Sequence, residues 1–186
     1  ADRGLTSSSL KRVPDSLSKL LLHRNFHELR SAVLKDINEW SSRGIKVIPI
    51  GSANYPHQLN ALENPPPFLF CKGNLSLLTV TTSIAVVGTR HNTEKGQQIA
   101  RKTVKEFSEH GFTIVSGLAQ GIDTIAHRAA LDFGTHTIAV LVDLINIAPT
   151  PNRPLADEIL VKGGLLVAEN TPGTPLIPGL FAKRDR

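Results

Sequence analysis

The sequence predicts an α/β fold organised around a parallel sheet. Two stretches carry that reading. Ile84-Ala-Val-Val-Gly-Thr-Arg90 and Thr113-Ile-Val-Ser-Gly-Leu-Ala-Gln-Gly-Ile-Asp-Thr-Ile-Ala-His127 are each an apolar run that stops at a glycine loop and leads into a helix-like stretch. Two further strand-like stretches follow, at residues 137–141 and 165–168. Continuous apolar runs suit strands buried on both faces. Strands alternating with helices predict parallel pairing through right-handed crossovers. The loops then share the C-terminal edge of the sheet, where open α/β folds bind phosphate-bearing ligands.

Residues 1–13 read as a lead. Residues 15–42 carry Leu17, Leu20 and Leu21, then Phe26, Leu29, Val33, Ile37 and Trp40, and the spacing of the second set predicts an amphipathic helix ending near Arg43-Gly44. Residues 45–50 form a short strand. Tyr55-Pro56 opens a turn, with Leu59 and Leu62 on a single helical turn beyond it. Asn64-Pro65-Pro66-Pro67 excludes helix and central strand, and Phe68 to Gly73 is a second short strand.

The main domain begins near Ser83, with its first strand at residues 84–87. Thr93 is placed to cap a helix running to His110, which Gly111 stops. Residues 112–115 form the next strand, 122–133 a helix, 137–141 a strand, 153–162 a helix closed by Gly163-Gly164, and 165–168 a fourth strand. Three segments result: 1–44 as a lead and helical part, 45–80 as a Pro-rich connection with short strands, and 81–186 as the main α/β domain. There are no internal repeats or low-complexity tracts.

The bulk composition narrows the setting. Net charge is +5 over 186 residues, with residues 1–80 holding 10 Lys and Arg against 6 acids and residues 81–186 holding 11 against 10. The glycine-loop region is therefore no basic slab, and a polyanion site there must come from local clustering. The single Cys71 excludes an intramolecular disulfide and fits a reducing compartment. No stretch approaches the roughly 20 apolar residues of a membrane span, and no signal peptide is visible, so the expected location is cytoplasmic. The chain has no methionine and stops at Arg186 just after a Pro/Gly loop, which leads us to expect a longer polypeptide; a methionine-free domain is the plain alternative.

The chemistry-bearing motifs each admit two readings. Gly88-Thr89-Arg90 lies between a strand and a helix, where backbone N–H groups and an arginine fork suit a phosphate; a plain βα turn with a solvated arginine fits the spacing equally. Ser116-Gly117-Leu-Ala-Gln-Gly121 repeats the arrangement. It is not a GxGxxG fingerprint and no acid is placed to grip a ribose, which argues against an NAD site. Ser116 can offer its hydroxyl to a phosphate, or the glycines can simply permit a tight turn. Asp123 and His127 share a helical face; without a third ligand or nucleophile they read as a loop brace and a packed histidine rather than a catalytic or metal pair. Phe181-Ala-Lys183-Arg184-Asp185-Arg186 joins an aromatic to three cations, a pairing suited to single-stranded nucleic acid or to a solvated basic segment.

Over roughly residues 40–186 the chain resembles the DprA/Smf family (DNA-processing protein A). The resemblance rests on Trp40, Gly44-Ile45, Tyr55-Pro56, Leu59, Leu62, Pro66-Pro67, Leu69-Phe70, Gly73, residues 84–90, residues 114–119 with Gly121-Ile122-Asp123 and Ala126-His127, residues 137–141, Asn152, Leu155-Ala156, Ile159, and Phe181, Arg184 and Arg186. It implies an extended Rossmann-like domain, incomplete here because the second half of the sheet is absent. It further implies a non-enzymatic, homodimeric single-stranded-DNA-binding protein that acts in natural transformation and helps load a RecA-type recombinase, with no cofactor or metal. By resemblance the DNA-binding residues are Gly88, Thr89, Arg90, Ser116, Gly117, Phe181, Arg184 and Arg186; Lys183 joins them on charge alone.

The chain departs from the family pattern at residues 142–147, where Val-Asp-Leu-Ile-Asn-Ile replaces a glycine-rich stretch, at Ala168-Glu169, and at Asp185, which puts a negative charge among the cations. A rival reading is a nucleotide sensor or a nucleoside-monophosphate hydrolase of the lysine-decarboxylase-like type. Such enzymes need a Pro-Gly-Gly-x-Gly-Thr-x-x-Glu signature, which this sequence lacks.

Overall fold

A computed structural model describes residues 26–184, and the chain divides into two compact units at Arg43/Gly44. In the first unit, α1 (Phe26–Ser42) follows the expected periodicity. Its apolar stripe of Leu29, Val33, Leu34 and Ile37 is exposed, and none of its residues is buried. The reading of residues 1–25 lies outside the described residues.

The second unit is built on a six-stranded sheet of order β1-β2-β6-β5-β4-β3. Its strands are β1 (Ile45–Pro49), β2 (Phe68–Gly73), β3 (Ser83–Ala85), β4 (Thr113–Ser116), β5 (Thr137–Leu141) and β6 (Leu165–Ala168). Strands β3 to β6 pair in parallel, as the alternating pattern predicts. Residues 45–80 do more than connect. β1 and β2 pair antiparallel with each other, and β2 pairs antiparallel with β6, so the sheet is mixed rather than wholly parallel. The first parallel strand is also shorter than its apolar run, although the Val86 amide still donates to Val115 O at 2.9 Å.

A short α2 (His57–Asn60) follows β1. The three crossover helices are α3 (Glu94–Glu109), α4 (Ile122–Asp132) and α5 (Arg153–Val161), and α6 (Pro178–Arg184) follows β6. Thr93 caps α3 by accepting from the Gly96 amide at 3.1 Å, as its position predicts. Because β3 to β6 lie side by side in chain order, right-handed crossovers put α3, α4 and α5 on one sheet face. Val104, Ile114, Ala126, Ala129 and Ala130 fill the space there, and the alanines let α4 approach closely. The other face is covered by Tyr55, Leu59, Leu77 and Leu78, which pack on Leu69, Cys71, Ile138 and Val167. Burial pushes the Cys71 thiol up to about 12, so it acts as a small hydrophobe.

His127 pins α4 to the sheet. Thr137 gives its hydroxyl proton to Ile114 O (2.8 Å), so it can only accept from His127 Nδ1 (2.8 Å). Nδ1 therefore carries a proton. Complete burial lowers the ring's pKa to about 3, partly offset by the Ser116 carbonyl. The folded chain thus binds fewer protons than the unfolded one between the ordinary value of 6.5 and about 3. The stabilisation is complete above 6.5 and is lost as pH falls through that window, by up to a few kcal/mol. Urea titrations across this range should show that slope, and His127→Gln should flatten it.

Candidate functional site

The loops that leave the four parallel strands meet at the C-terminal edge of the sheet. The β3–α3 loop contains Gly88, Thr89 and Arg90. Gly88 lies against the start of α4: a Cβ there would be 2.7 Å from Ile122 Cγ1. The Thr89 hydroxyl closes its own loop, accepting from the His91 amide (3.2 Å) and donating to His91 O (3.1 Å). The Thr89 carbonyl accepts from the Ile122 amide at 3.2 Å. Gly121, at φ 87°, completes this interlock; a side chain there would strike Thr89 O and come within 2.7 Å of Arg90 Cα. Arg90 itself is exposed and has no hydrogen-bond or ion-pair partner among the described residues.

The β4–α4 loop is organised from inside. Ser116, read from sequence as a hydroxyl donor to phosphate or part of a tight turn, is 3% exposed and donates its hydroxyl to Val86 O at 2.7 Å, which ties β4 to the residue just past β3. Asp123, 4% exposed, turns back over the loop, and its Oδ2 accepts from the Gly117 amide at 3.2 Å and the Ala119 amide at 3.3 Å. The loop N–H groups that sequence offered to a phosphate are therefore bound by a carboxylate of the chain itself. Burial pushes the Asp123 pKa up, while the amides of Ala119, Gly117 and Gly88 and the Arg184 cation favour its charged form. Leu118 is fully buried with φ 58°, a backbone state that L side chains rarely adopt. Asn152 stabilises it by donating Nδ2 to Leu118 O and to Thr124 Oγ1, both at 2.8 Å.

The β5–α5 loop is where glycines are missing, and a second buried carboxylate substitutes for them. Asp143 is 1% exposed. Its Oδ1 accepts from the amides of Ile145 (3.2 Å) and Gly173 (2.9 Å). Its Oδ2 accepts from the Asn146 amide (2.9 Å) and side chain (2.8 Å). One side chain thereby shapes the loop and ties it to the turn that precedes α6.

Helix α6 places Phe181 and Arg184 at this edge. Arg184 Nη1 donates to Gly117 O at 2.7 Å, and its guanidinium lies 5.9 Å from the Phe181 ring centroid. A Cβ on Gly117 would collide with that guanidinium and lie 2.9 Å from Asp123 Oδ2, so the glycine is demanded by close approach on two sides. Arg184 thus first anchors α6 to the second loop. Lys183 lies on α6, with its side chain outside the described residues, as is Arg186. A cavity of about 370 Å³ opens between these parts, lined by Arg90, Gln120, Pro149, Leu176, Phe181 and Arg184 among others. It combines a cation, an aromatic ring, an amide side chain and apolar walls. Sequence reasoning missed Gln120, Asp143 and Asn152 as site-builders; only the Asn152-x-Pro154 pattern at a helix start carried a usable signal. Among the described residues no group of three or more His, Cys, Asp or Glu could hold a metal ion, and no helix is long and apolar enough to cross a membrane.

Fold and edge together define a Rossmann-like α/β protein whose ligand-facing loops are stiffened by buried carboxylates and flanked by an arginine and an aromatic. Residues 46–186 match the family described as DNA recombination-mediator protein A, and the chain belongs to this DprA/Smf family. It is 34% identical to the DNA processing protein DprA of Bacillus subtilis over 98% of its length and 62% of the relative's. It is 39% identical to the Smf protein of Escherichia coli over 75% of its length and 37% of the relative's. The crystal structure of DprA from Streptococcus pneumoniae superposes with a TM-score of 0.70 at 32% identity, covering 91% of this chain and 60% of that one. DprA from Helicobacter pylori, whose structure describes a single-stranded-DNA-binding mode, gives 0.67 at 32% identity, covering 76% and 62%. The chain thus spans less than two thirds of these relatives.

Gly117→Ala should lower stability by about 1–3 kcal/mol and loosen α6. Amide exchange at residues 178–184 reads the second effect, and unchanged protection there contradicts the anchoring role of Arg184.

Proposed function

We propose that this chain binds single-stranded DNA without sequence preference, as part of a DNA-processing protein. The observation that carries this is the cavity itself. Arg90 has no hydrogen-bond or ion-pair partner among the described residues and lines the same cavity as Phe181, so a phosphate and a base of one strand can be taken together. The Helicobacter pylori relative, whose structure describes single-stranded-DNA binding, supports the assignment. In this reading Arg90 neutralises a backbone phosphate, Phe181 stacks a base, and Lys183, Arg184 and Arg186 add positive potential. Gly88, Thr89, Ser116 and Gly117 shape the loops that present these groups. The role is binding rather than catalysis, in the cytoplasm.

The nucleotide-hydrolase reading requires a terminal phosphate at the loop amides, where the Asp123 carboxylate already lies. We also infer a RecA-type recombinase and a second copy of the chain as partners, in keeping with the family's description as a recombination mediator. Pull-down of a purified recombinase and light scattering address these two points.

Anisotropy titration with labelled oligo-dT is the direct assay. Binding should weaken steeply with salt, by about 0.7 in log–log slope for each phosphate neutralised. Arg90→Ala should weaken binding about fivefold to tenfold and reduce that slope by roughly one phosphate. Phe181→Ala should cost roughly tenfold with the slope unchanged. No binding at low salt, or an Arg90→Ala variant indistinguishable from the parent, contradicts the proposal.

A further inference from the structure

The β4–α4 loop has the parts of an anion site, yet its anion is its own. The Gly117 and Ala119 amides donate to Asp123 Oδ2, the Gly88 amide also favours the charged carboxylate, and Arg184 supplies a nearby cation. Asp123 is in the first turn of α4, an eleven-residue helix whose N-terminal Gly121 offers no side-chain cap. Backbone donors, a helix N-terminus and an arginine are the groups that phosphate-binding loops bring together. Here they converge on a buried carboxylate that already accepts from the amides.

We propose that Asp123 is a specificity-determining residue: its carboxylate stands in for a bound phosphate at the head of α4 and so excludes inorganic phosphate and phosphomonoesters from the loop. Discrimination often depends on such a built-in repulsive element. A mononucleotide would have to displace Asp123 to reach the amides, against both charge repulsion and loss of the internal hydrogen bonds. A strand held through Arg90 and Phe181 need not approach those amides. Selection between free nucleotides and polymer then falls on one acidic side chain. A purely structural Asp123 would brace the loop equally well and yet give no anion selectivity when removed. The inference deepens the single-stranded-DNA reading, but its test uses inorganic phosphate and no DNA, so each can fail without the other.

The experiment compares the full chain with Asp123→Ala and Asp123→Ser. Melting temperature is measured in sodium phosphate and in sodium chloride at matched ionic strength. Any ligand that binds only the folded state raises the melting temperature by mass action. Phosphate should leave the parent where chloride leaves it. It should raise both variants by several degrees, with affinity at least about tenfold above the parent's, the scale of favourable charge at a helix N-terminus. Asp123→Asn fills the same space and should show little gain. If the variants respond to phosphate no more than the parent does, or fail to recover structure in phosphate, the proposal is overturned. A parent that itself binds phosphate as tightly as Asp123→Ala also overturns it.

Discussion

The site depends on one buried carboxylate. Asp123 accepts from the amides that open the β4–α4 loop, and without it those donors would be left in a water-poor space at a cost of roughly 1–3 kcal/mol each. With the loop fixed, the Gly117 carbonyl points at Arg184 and gives α6 its anchor. Phe181 then stands beside the cavity and Arg90 faces it from the neighbouring loop. Burial works against the Asp123 charge, while the amides and Arg184 support it. The arrangement is a balance between desolvation and hydrogen bonding, not a simple ion pair.

The parallel part of the fold was legible because its signals are local. Residues 138–141 and 165–168 are apolar throughout, as suits strands covered on both faces, and Thr93 marks its helix start through its own hydroxyl. The role of residues 45–80 was not legible. Antiparallel addition of β1 and β2 to β6 is a long-range pairing, and a Pro-rich stretch between two short strands reads as a connection until the partner strand is known. Likewise α1 shows its apolar stripe in sequence, while its exposure is visible only in the fold.

Within the site, sequence identified positions better than roles. A hydroxyl after a strand fits both a ligand donor and a simple turn, and sequence does not choose between them for Ser116. Only the fold reveals that Val86 O takes its proton. Sequence offers Arg184 as charge for DNA, and the fold adds its hydrogen bond to the Gly117 carbonyl. The bracing role of Asp123 is legible, since an acid in the first turn of a helix naturally turns back to loop amides, as its bonds to Gly117 and Ala119 do. Asp143 shows why the missing glycines at residues 142–147 do not abolish the third loop. Its four accepted hydrogen bonds impose a turn that a glycine-rich chain reaches by backbone freedom.

The central claim is that Asp123, and not a ligand, satisfies the amides of the second loop. Residue-resolved amide exchange at Gly117 and Ala119 tests it most directly, in the free chain and with saturating oligo-dT. The account predicts strong protection at both amides in the free chain and little further gain with DNA. Rapid exchange in the free chain, with protection appearing only when DNA is added, would contradict it.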